Sequence, residues 1–232
     1  MIPATIHYCW FGKKPRSELH QKCQDSWRRH LPGFRIKEWN ETNSPLDNAY
    51  CRTAFGQESW SRLSNYIRLH ALYTEGGIYL DIDIEVLKDF TPLLNHKCFA
   101  GFQQEEALAD WVNSAVLGAE AGHTFLQRCT ELTMQLFTET GELYRSPTVV
   151  TRVLREMGLR EYGLQEVREV ALYPTEYFYP YPWFGRFTSD CIKESTYCIH
   201  YWEGSWRKKQ HKLRSLPGAM KRMMRSLIYR AG

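Results

Sequence analysis

The rhythm of apolar and polar positions changes several times along this chain, and each change marks an element. Residues 4–10 form an apolar run closed by the turn sequence FGKKP, which predicts a first strand. Residues 18–29 take helical spacing and stop at Pro32 and Gly33. Residues 34–39 alternate with period two, a second strand. A polar loop follows, in which Asp47 or Asn48 can cap a short helix reaching Phe55. Trp60, Leu63, Ile67 and Ala71 recur at intervals of three and four and predict a helix over 58–74. Gly76 or Gly77 can take the left-handed conformation that ends it. IYLDIDIEVL is then expected as one continuous strand.

Beyond residue 109 the pattern holds a strand-like piece and, after Gly122, a helix. SPTVVTRVLREMG predicts another helix, with Ser146 as cap and Pro147 in the first position. VALYPTEYFYPYPWFG reads as an aromatic, proline-rich loop, and YCIHYWEGSW closes the body. Strand, helix and strand joined by short links predict an α/β fold, with a mainly parallel central sheet flanked by helices. With no repeat and no low-complexity linker, residues 1–206 are expected as one domain and 207–232 as a basic amphipathic helix or tail.

Composition adds three points. The 232 residues are 43% hydrophobic, enough to bury a sizeable core, and the 14% of aromatic residues suit either that core or ring stacking. Seven dispersed cysteines without a C-x-x-C speak against a zinc knuckle and for reduced thiols. With no signal sequence or spanning apolar run in view, a cytoplasmic location is expected. The formal charge of +4 is unevenly placed: residues 207–232 carry nine Lys or Arg and no acid, the remainder 21 basic and 26 acidic groups. In that tail Leu213, Leu216, Met220, Met223, Met224, Leu227 and Ile228 fall at helical spacing. The pattern predicts an interfacial helix on an anionic membrane, peripheral on the inner face of the cytoplasmic membrane. A helix packed on the body, or one that dimerises, competes with it. The acidic body continues no basic surface, so nucleic acid is not an expected partner.

The chemistry concentrates in EGGIYLDIDIEVLK. On one strand, Asp81, Asp83 and Glu85 share a face at roughly 6–7 Å spacing. Three carboxylates in line repel unless water or a cation separates them, and hard oxygen ligands suit Mg²⁺ or Mn²⁺. A solvated strand face is the plain alternative. Glu85 ranks below the two aspartates, and His7 reads as structural.

Three blocks in order, IPATIHYCWFG, LSNYIRLHALYTEGGIYLDIDIEVLKDF and IHYWEGSW, carry a resemblance over residues 2–206. The chain resembles the DXD-motif glycosyltransferases. That family includes initiating α-1,6-mannosyltransferase-like enzymes, bacterial capsule and O-antigen sugar transferases and, distantly, the large glucosylating toxins. The resemblance implies a GT-A-like nucleotide-sugar-binding fold, Mn²⁺ or Mg²⁺, and sugar transfer with retention. It makes Asp83 the direct metal ligand, and it places Asp81 against the ribose or sugar and metal-bound water. His200 lies near the metal or diphosphate. Trp10 stacks on the nucleobase, and Arg68 reaches sugar or diphosphate. Ser205 and Trp206 close over the donor, and Asn113 approaches donor sugar or acceptor. One position departs from the family: Asn65 stands where aspartate is usual, one helical turn from Arg68, and bears on donor choice.

The expected activity moves a sugar from a nucleotide-sugar, UDP-sugar favoured, to a glycan or lipid-linked oligosaccharide in surface polysaccharide synthesis. A catalytically weak nucleotide-sugar-binding protein of the same fold is the alternative. A metal-dependent phosphohydrolase is another, though the strand offers no second metal cage.

Overall fold

The structure, a computed structural model, describes residues 1–203. Ser205, Trp206 and the basic tail lie outside the described residues.

The chain opens with β1 (Thr5–Cys9), followed by α1 (Glu18–His30) and β2 (Arg35–Trp39). Ser17 starts α1 with a capping box: its hydroxyl accepts the His20 N–H at 3.3 Å, and His20 Nδ1 accepts the Ser17 N–H at 3.2 Å. Two helices come next, α2 (Ala49–Gly56), capped by Asn48, and α3 (Trp60–Glu75). α3 begins two residues later than its apolar spacing suggests, because Glu58 sits at φ +50°. It buries Leu63, Ile67 and Leu72 and ends at Gly76, φ +65°.

Gly77 then opens β3 (Gly77–Leu80) at φ +115°, so close to β1 that a Cβ would stand 2.6 Å from the Thr5 carbonyl. The glycine pair is therefore what lets β3 lie directly beside β1. β4 (Ile84–Val86), β5 (Cys98–Phe102) and β6 (Val112–Ala119) lead to α4 (Thr124–Thr140) and α5 (Ser146–Met157). β7 (Gln165–Val167), β8 (Val170–Tyr173), α6 (Thr175–Phe178) and β9 (Cys198–His200) follow.

Seven strands form one sheet in the order β2-β1-β3-β6-β5-β8-β7. Pairing directions make five strands run the same way and set β6 and β7 against them, so the sheet is mixed and mostly parallel. Leu63, Ile67, Leu126 and Val150 belong to one buried cluster, and Trp27, Leu31, Ile78 and Phe90 to a second. The outer pair β4–β9 forms a separate antiparallel ribbon.

Three expectations are corrected. IYLDIDIEVL is not one strand: β3 stops at Leu80, residues 81–83 turn, and the Ile84 N–H returns to the Asp81 carbonyl at 3.0 Å. The ladder on β6 ends with the Asp81 N–H on Ala115, and β4 pairs with β9 instead. Asp81, Asp83 and Glu85 thus do not share a strand face. Ser146 is the first helical residue of α5 rather than its cap; Arg145 takes the cap position, and the Ser146 hydroxyl is engaged by Ser114. VALY is a sheet strand, β8, because Cys98–Gly101 offers it a parallel ladder.

Candidate active site

β3 carries Asp81 to the carboxyl end of the sheet, where ligands of open α/β sheets bind. Its Oδ1 accepts the Tyr79 hydroxyl at 3.0 Å and pairs with Arg68 Nη2 at 3.1 Å. Arg68 is buried. Its Nη1 donates to the Ser114 carbonyl at 2.8 Å and hydroxyl at 3.1 Å, its Nε to the Ser64 carbonyl at 3.3 Å, and its guanidinium lies 4.4 Å over the Tyr79 ring. Burial works against its charge, but Asp81 and Tyr79 outweigh that and hold it protonated. Four of its five donors are used within the protein, so Arg68 chiefly orients Asp81.

The turn places Asp83 opposite β9. Asp83 is 6% exposed. Oδ1 lies 3.2 Å from His200 Nε2, Oδ2 accepts the Glu203 N–H at 2.6 Å, and the Asp83 carbonyl accepts the Tyr201 N–H at 3.0 Å. Burial alone would raise the carboxyl's pKa; the His200 charge and the two side-chain hydrogen bonds overcome it and hold Asp83 below the usual carboxylate range. His200 pairs across the ribbon with Ile84, and its ring rests on Trp202 at 4.0 Å and on Tyr179 at 5.9 Å.

Asp81, Asp83 and His200 each offer a ligand atom, all within 4.8 Å of one another. Two atoms on adjacent corners of an octahedron around Mn²⁺ or Mg²⁺ stand about 3 Å apart, and opposite corners about 4.2 Å. The 3.2 Å between Asp83 Oδ1 and His200 Nε2 suits adjacent corners, and with Asp81 beside them the three make the candidate site for one ion. His200 Nδ1 is also buried with no hydrogen-bond partner, an imidazole not fully used by the fold. Two carboxylates with one imidazole suit Mn²⁺ better than the all-oxygen preference of Mg²⁺.

Other nominated residues have plainer surroundings. Glu85 turns away to Lys22 at 2.7 Å and to the Tyr201 hydroxyl. Trp10 is half-buried just past β1, edge-on to His20 at 5.1 Å and 5.8 Å from the Arg16 guanidinium. His7 is structural: Nε2 bonds the Gly76 carbonyl at 2.8 Å, and Nδ1 accepts from Trp39 at 3.0 Å. Asn113 donates to Gln103 at 2.6 Å and accepts the Ala115 N–H at 2.8 Å, so most of its amide serves β6. Asn65 bridges two helices: with its amide assigned by the surrounding donors and acceptors, its oxygen accepts the Ser146 N–H at 3.2 Å and its nitrogen donates to the Ser61 carbonyl at 3.1 Å.

Tyr79, Ser114, Ser146 and Glu203 also serve this site, and none was nominated from the sequence. Tyr79 alone had a signal, two strand positions before Asp81.

Two family models match the chain. One, described as a glycosyltransferase sugar-binding region containing DXD motif, covers residues 17–100; the other, an alpha 1,4-glycosyltransferase conserved region, covers 118–225. Lactosylceramide 4-alpha-galactosyltransferase of Rattus norvegicus is 32% identical over 152 residues, 60% of this chain and 40% of that protein. The Homo sapiens protein of the same name is 30% identical over 151 residues, 60% of this chain and 41% of the relative. The chain thus spans about two-fifths of the length of these relatives. Among solved structures, the galactosyltransferase LgtC, in complex with donor and acceptor sugar analogs, superposes with TM-score 0.52 at 14% identity, covering 93% of this chain and 98% of that one. The PaToxG glycosyltransferase gives TM-score 0.54 at 17% identity over 67% and 69% of the two chains. At such identities these likenesses are of fold. The DXD turn at Asp81–Asp83 lies inside the first matched region, so the chain is similar in sequence to DXD-containing glycosyltransferases and has the GT-A type of fold.

Proposed function

We propose that this chain transfers a hexose from a nucleotide-sugar, UDP-sugar favoured, to a saccharide hydroxyl with retention. The observation that carries the reading is the convergence of Asp81, Asp83 and His200, backed by Arg68, at the carboxyl end of β3. These three side chains would hold the divalent cation, Mn²⁺ before Mg²⁺, which when bound supplies Lewis acidity toward the departing diphosphate. Asp83 enters the reaction already ionised and fixed by the Glu203 N–H. Arg68 holds Asp81 in one orientation, and the Trp202 and Tyr179 rings keep water from the His200 ring. Trp10 supplies the ring on which the base stacks.

Near Asp81 the described carboxylates are committed: Asp81 to Arg68, Asp83 to His200 and Glu203, Glu85 to Lys22. That supports front-face attack by the acceptor hydroxyl over a two-step route through a carboxylate. Anomeric analysis of the product by NMR decides this, and a β-linked product from an α-linked donor rejects it.

The names of the curated relatives favour a galactosyl donor and a glycolipid headgroup as acceptor, a narrower choice than a lipid-linked precursor of surface polysaccharide. A lipid-borne acceptor agrees with the membrane reading of the basic tail. Co-sedimentation with anionic vesicles that is unchanged when 207–232 is removed rejects that attachment and the peripheral membrane location. The decisive test of function is a thermal-shift screen of UDP- and GDP-sugars with and without Mn²⁺, followed by donor hydrolysis. A cation-dependent shift for a UDP-sugar is expected. No shift with any sugar nucleotide rejects the transferase reading, and binding without hydrolysis or transfer selects the weak-binder alternative.

A further inference from the structure

The segment leaving β9 has an unusual backbone. Trp202 stands at φ +57°, a left-handed conformation rare for a bulky residue. Its indole holds it there, donating to the Tyr181 carbonyl at 3.1 Å and packing on His200. The bend sends Glu203 in two directions at once. Its N–H turns back to Asp83 Oδ2 at 2.6 Å. Its carboxylate crosses to the start of α1, where Oε2 lies 3.0 Å from His20 Nε2 and 3.2 Å from the Ser17 hydroxyl. Because His20 Nδ1 accepts the Ser17 N–H, a neutral His20 ring carries its proton on Nε2, aimed at Glu203. The His20 ring also packs against Trp10, with 5.1 Å between the ring centroids and the planes 71° apart.

We propose that His20 and Glu203 are positioning residues that couple the base site at Trp10 to the cation ligand Asp83, so that nucleoside and divalent cation bind cooperatively without touching. The inference rests on the nucleotide-sugar reading of the site. The path has few members: Trp10, His20, the Glu203 carboxylate, the Glu203 N–H and Asp83. The middle of it is the loose part, since the Glu203 side chain is 42% exposed while His20 is 12% exposed. A base resting on Trp10 restrains His20 against Ser17, which holds Glu203 and with it the Asp83 carboxylate. The freedom lost on binding the base is then no longer lost on binding the cation, which is positive cooperativity through restriction of motion. Elsewhere α1 is tied firmly to the same ribbon, through Trp27 Nε1 on the Ile84 carbonyl at 2.7 Å and the Val86 N–H on the Ser26 hydroxyl at 2.8 Å. The clasp at His20 is therefore the adjustable end of an otherwise fixed bracket.

Uridine separates this path from direct contact, because it has a base but no phosphate to reach the ion. Mn²⁺ affinity is measured by electron paramagnetic resonance with and without saturating uridine, on the full chain and on Glu203→Ala, Glu203→Gln and His20→Ala. Uridine is expected to tighten Mn²⁺ by about fivefold in the unaltered chain, the lower end of ordinary site-to-site coupling. The ratio is expected to fall to near one in Glu203→Ala and His20→Ala. Glu203→Gln retains most of it, because the amide oxygen still accepts from Ser17 and His20. Glu203→Ala leaves the α1 capping box intact, which guards against a folding defect in His20→Ala. Hydrogen exchange at the Glu203 amide is expected to slow with uridine, a change that a static brace would not give. A ratio of one in a chain that still binds Mn²⁺ with UDP, or an undiminished ratio in Glu203→Ala, overturns the coupling alone. A chain that binds no Mn²⁺ with UDP overturns the transferase reading and the coupling with it.

Discussion

Asp81 and Asp83 stand two residues apart in different surroundings. Asp81 is partly open and leans on a buried arginine; Asp83 is enclosed and depends on His200 and a backbone N–H. Asp83→Asn keeps an oxygen for the Glu203 N–H but loses the charge that would face the proposed cation. Its loss of Mn²⁺ affinity is expected to exceed the roughly 10–100-fold cost of an outer partner, with transfer abolished; titration by paramagnetic resonance and donor hydrolysis check it. Arg68→Lys tests such an outer partner. One ammonium cannot span Ser64, both groups of Ser114 and Asp81, so about 10–100-fold lower Mn²⁺ affinity is expected in a folded protein. Unchanged affinity in Arg68→Lys would show that Asp81 needs no such support. The sequence singled out Asp81, Asp83, Arg68 and His200, because carboxylate spacing and motif order are local. Ser114 and Glu203 were invisible, since their importance comes from contacts 46 and 120 residues away in the chain.

At the scale of elements, the glycine pair and the turn after β3 set the site. Gly77→Ala would force a Cβ to 2.6 Å from the Thr5 carbonyl at φ +115°. Strain and overpacking together are expected to cost about 3 kcal/mol or more, read as a lower urea midpoint. An unmoved midpoint would mean that β1 and β3 can separate freely. Asn65 acts between elements too. Its oxygen meets the first N–H of α5 and its nitrogen the Ser61 carbonyl, so Asn65→Ala is expected to cost about 1 kcal/mol, the usual worth of such a cap. Asn65→Asp keeps the acceptor and adds charge favourable at a helix start, so its stability should stay within about 1 kcal/mol while the donor profile reports what the amide changes. Helices α1, α3, α4 and α5 were legible because each carries a long apolar stripe. The short strands β5, β7, β8 and β9 were not, since their places come from partners in the sheet rather than from their own pattern. The break after Leu80 was hidden by an alternation that continues through the turn.

At the scale of the whole molecule, burial leaves three histidines among the described residues with lowered pKa values, and that sets how these groups make stability respond to acid. Desolvation is the largest influence on His7, His70 and His123, and each lies below the ordinary 6.5. His7 is locked neutral between Gly76 and Trp39, and His123 caps α4 by accepting the Phe125 N–H. The unfolded chain takes up these protons near pH 6.5 and the folded chain only lower, so the unfolded state binds more protons in between. Stability from these groups is therefore complete above about pH 6.5 and is lost as pH falls from there through the folded pKa values. The lowered carboxylates act in another window: Glu38 and Glu75 fall below 4.5 and Asp83 below 3.8, so their contribution is lost only at lower pH. Between pH 7 and pH 5 the three histidines should thus dominate. The urea midpoint is expected to drop over that interval with an unchanged m-value. His123→Asn offers the internal control, because asparagine caps a helix as well but does not titrate. It should keep the midpoint at pH 7 within about 0.5 kcal/mol and lessen the fall toward pH 5. A midpoint that holds or rises on acidification would show that burial does not keep these rings neutral.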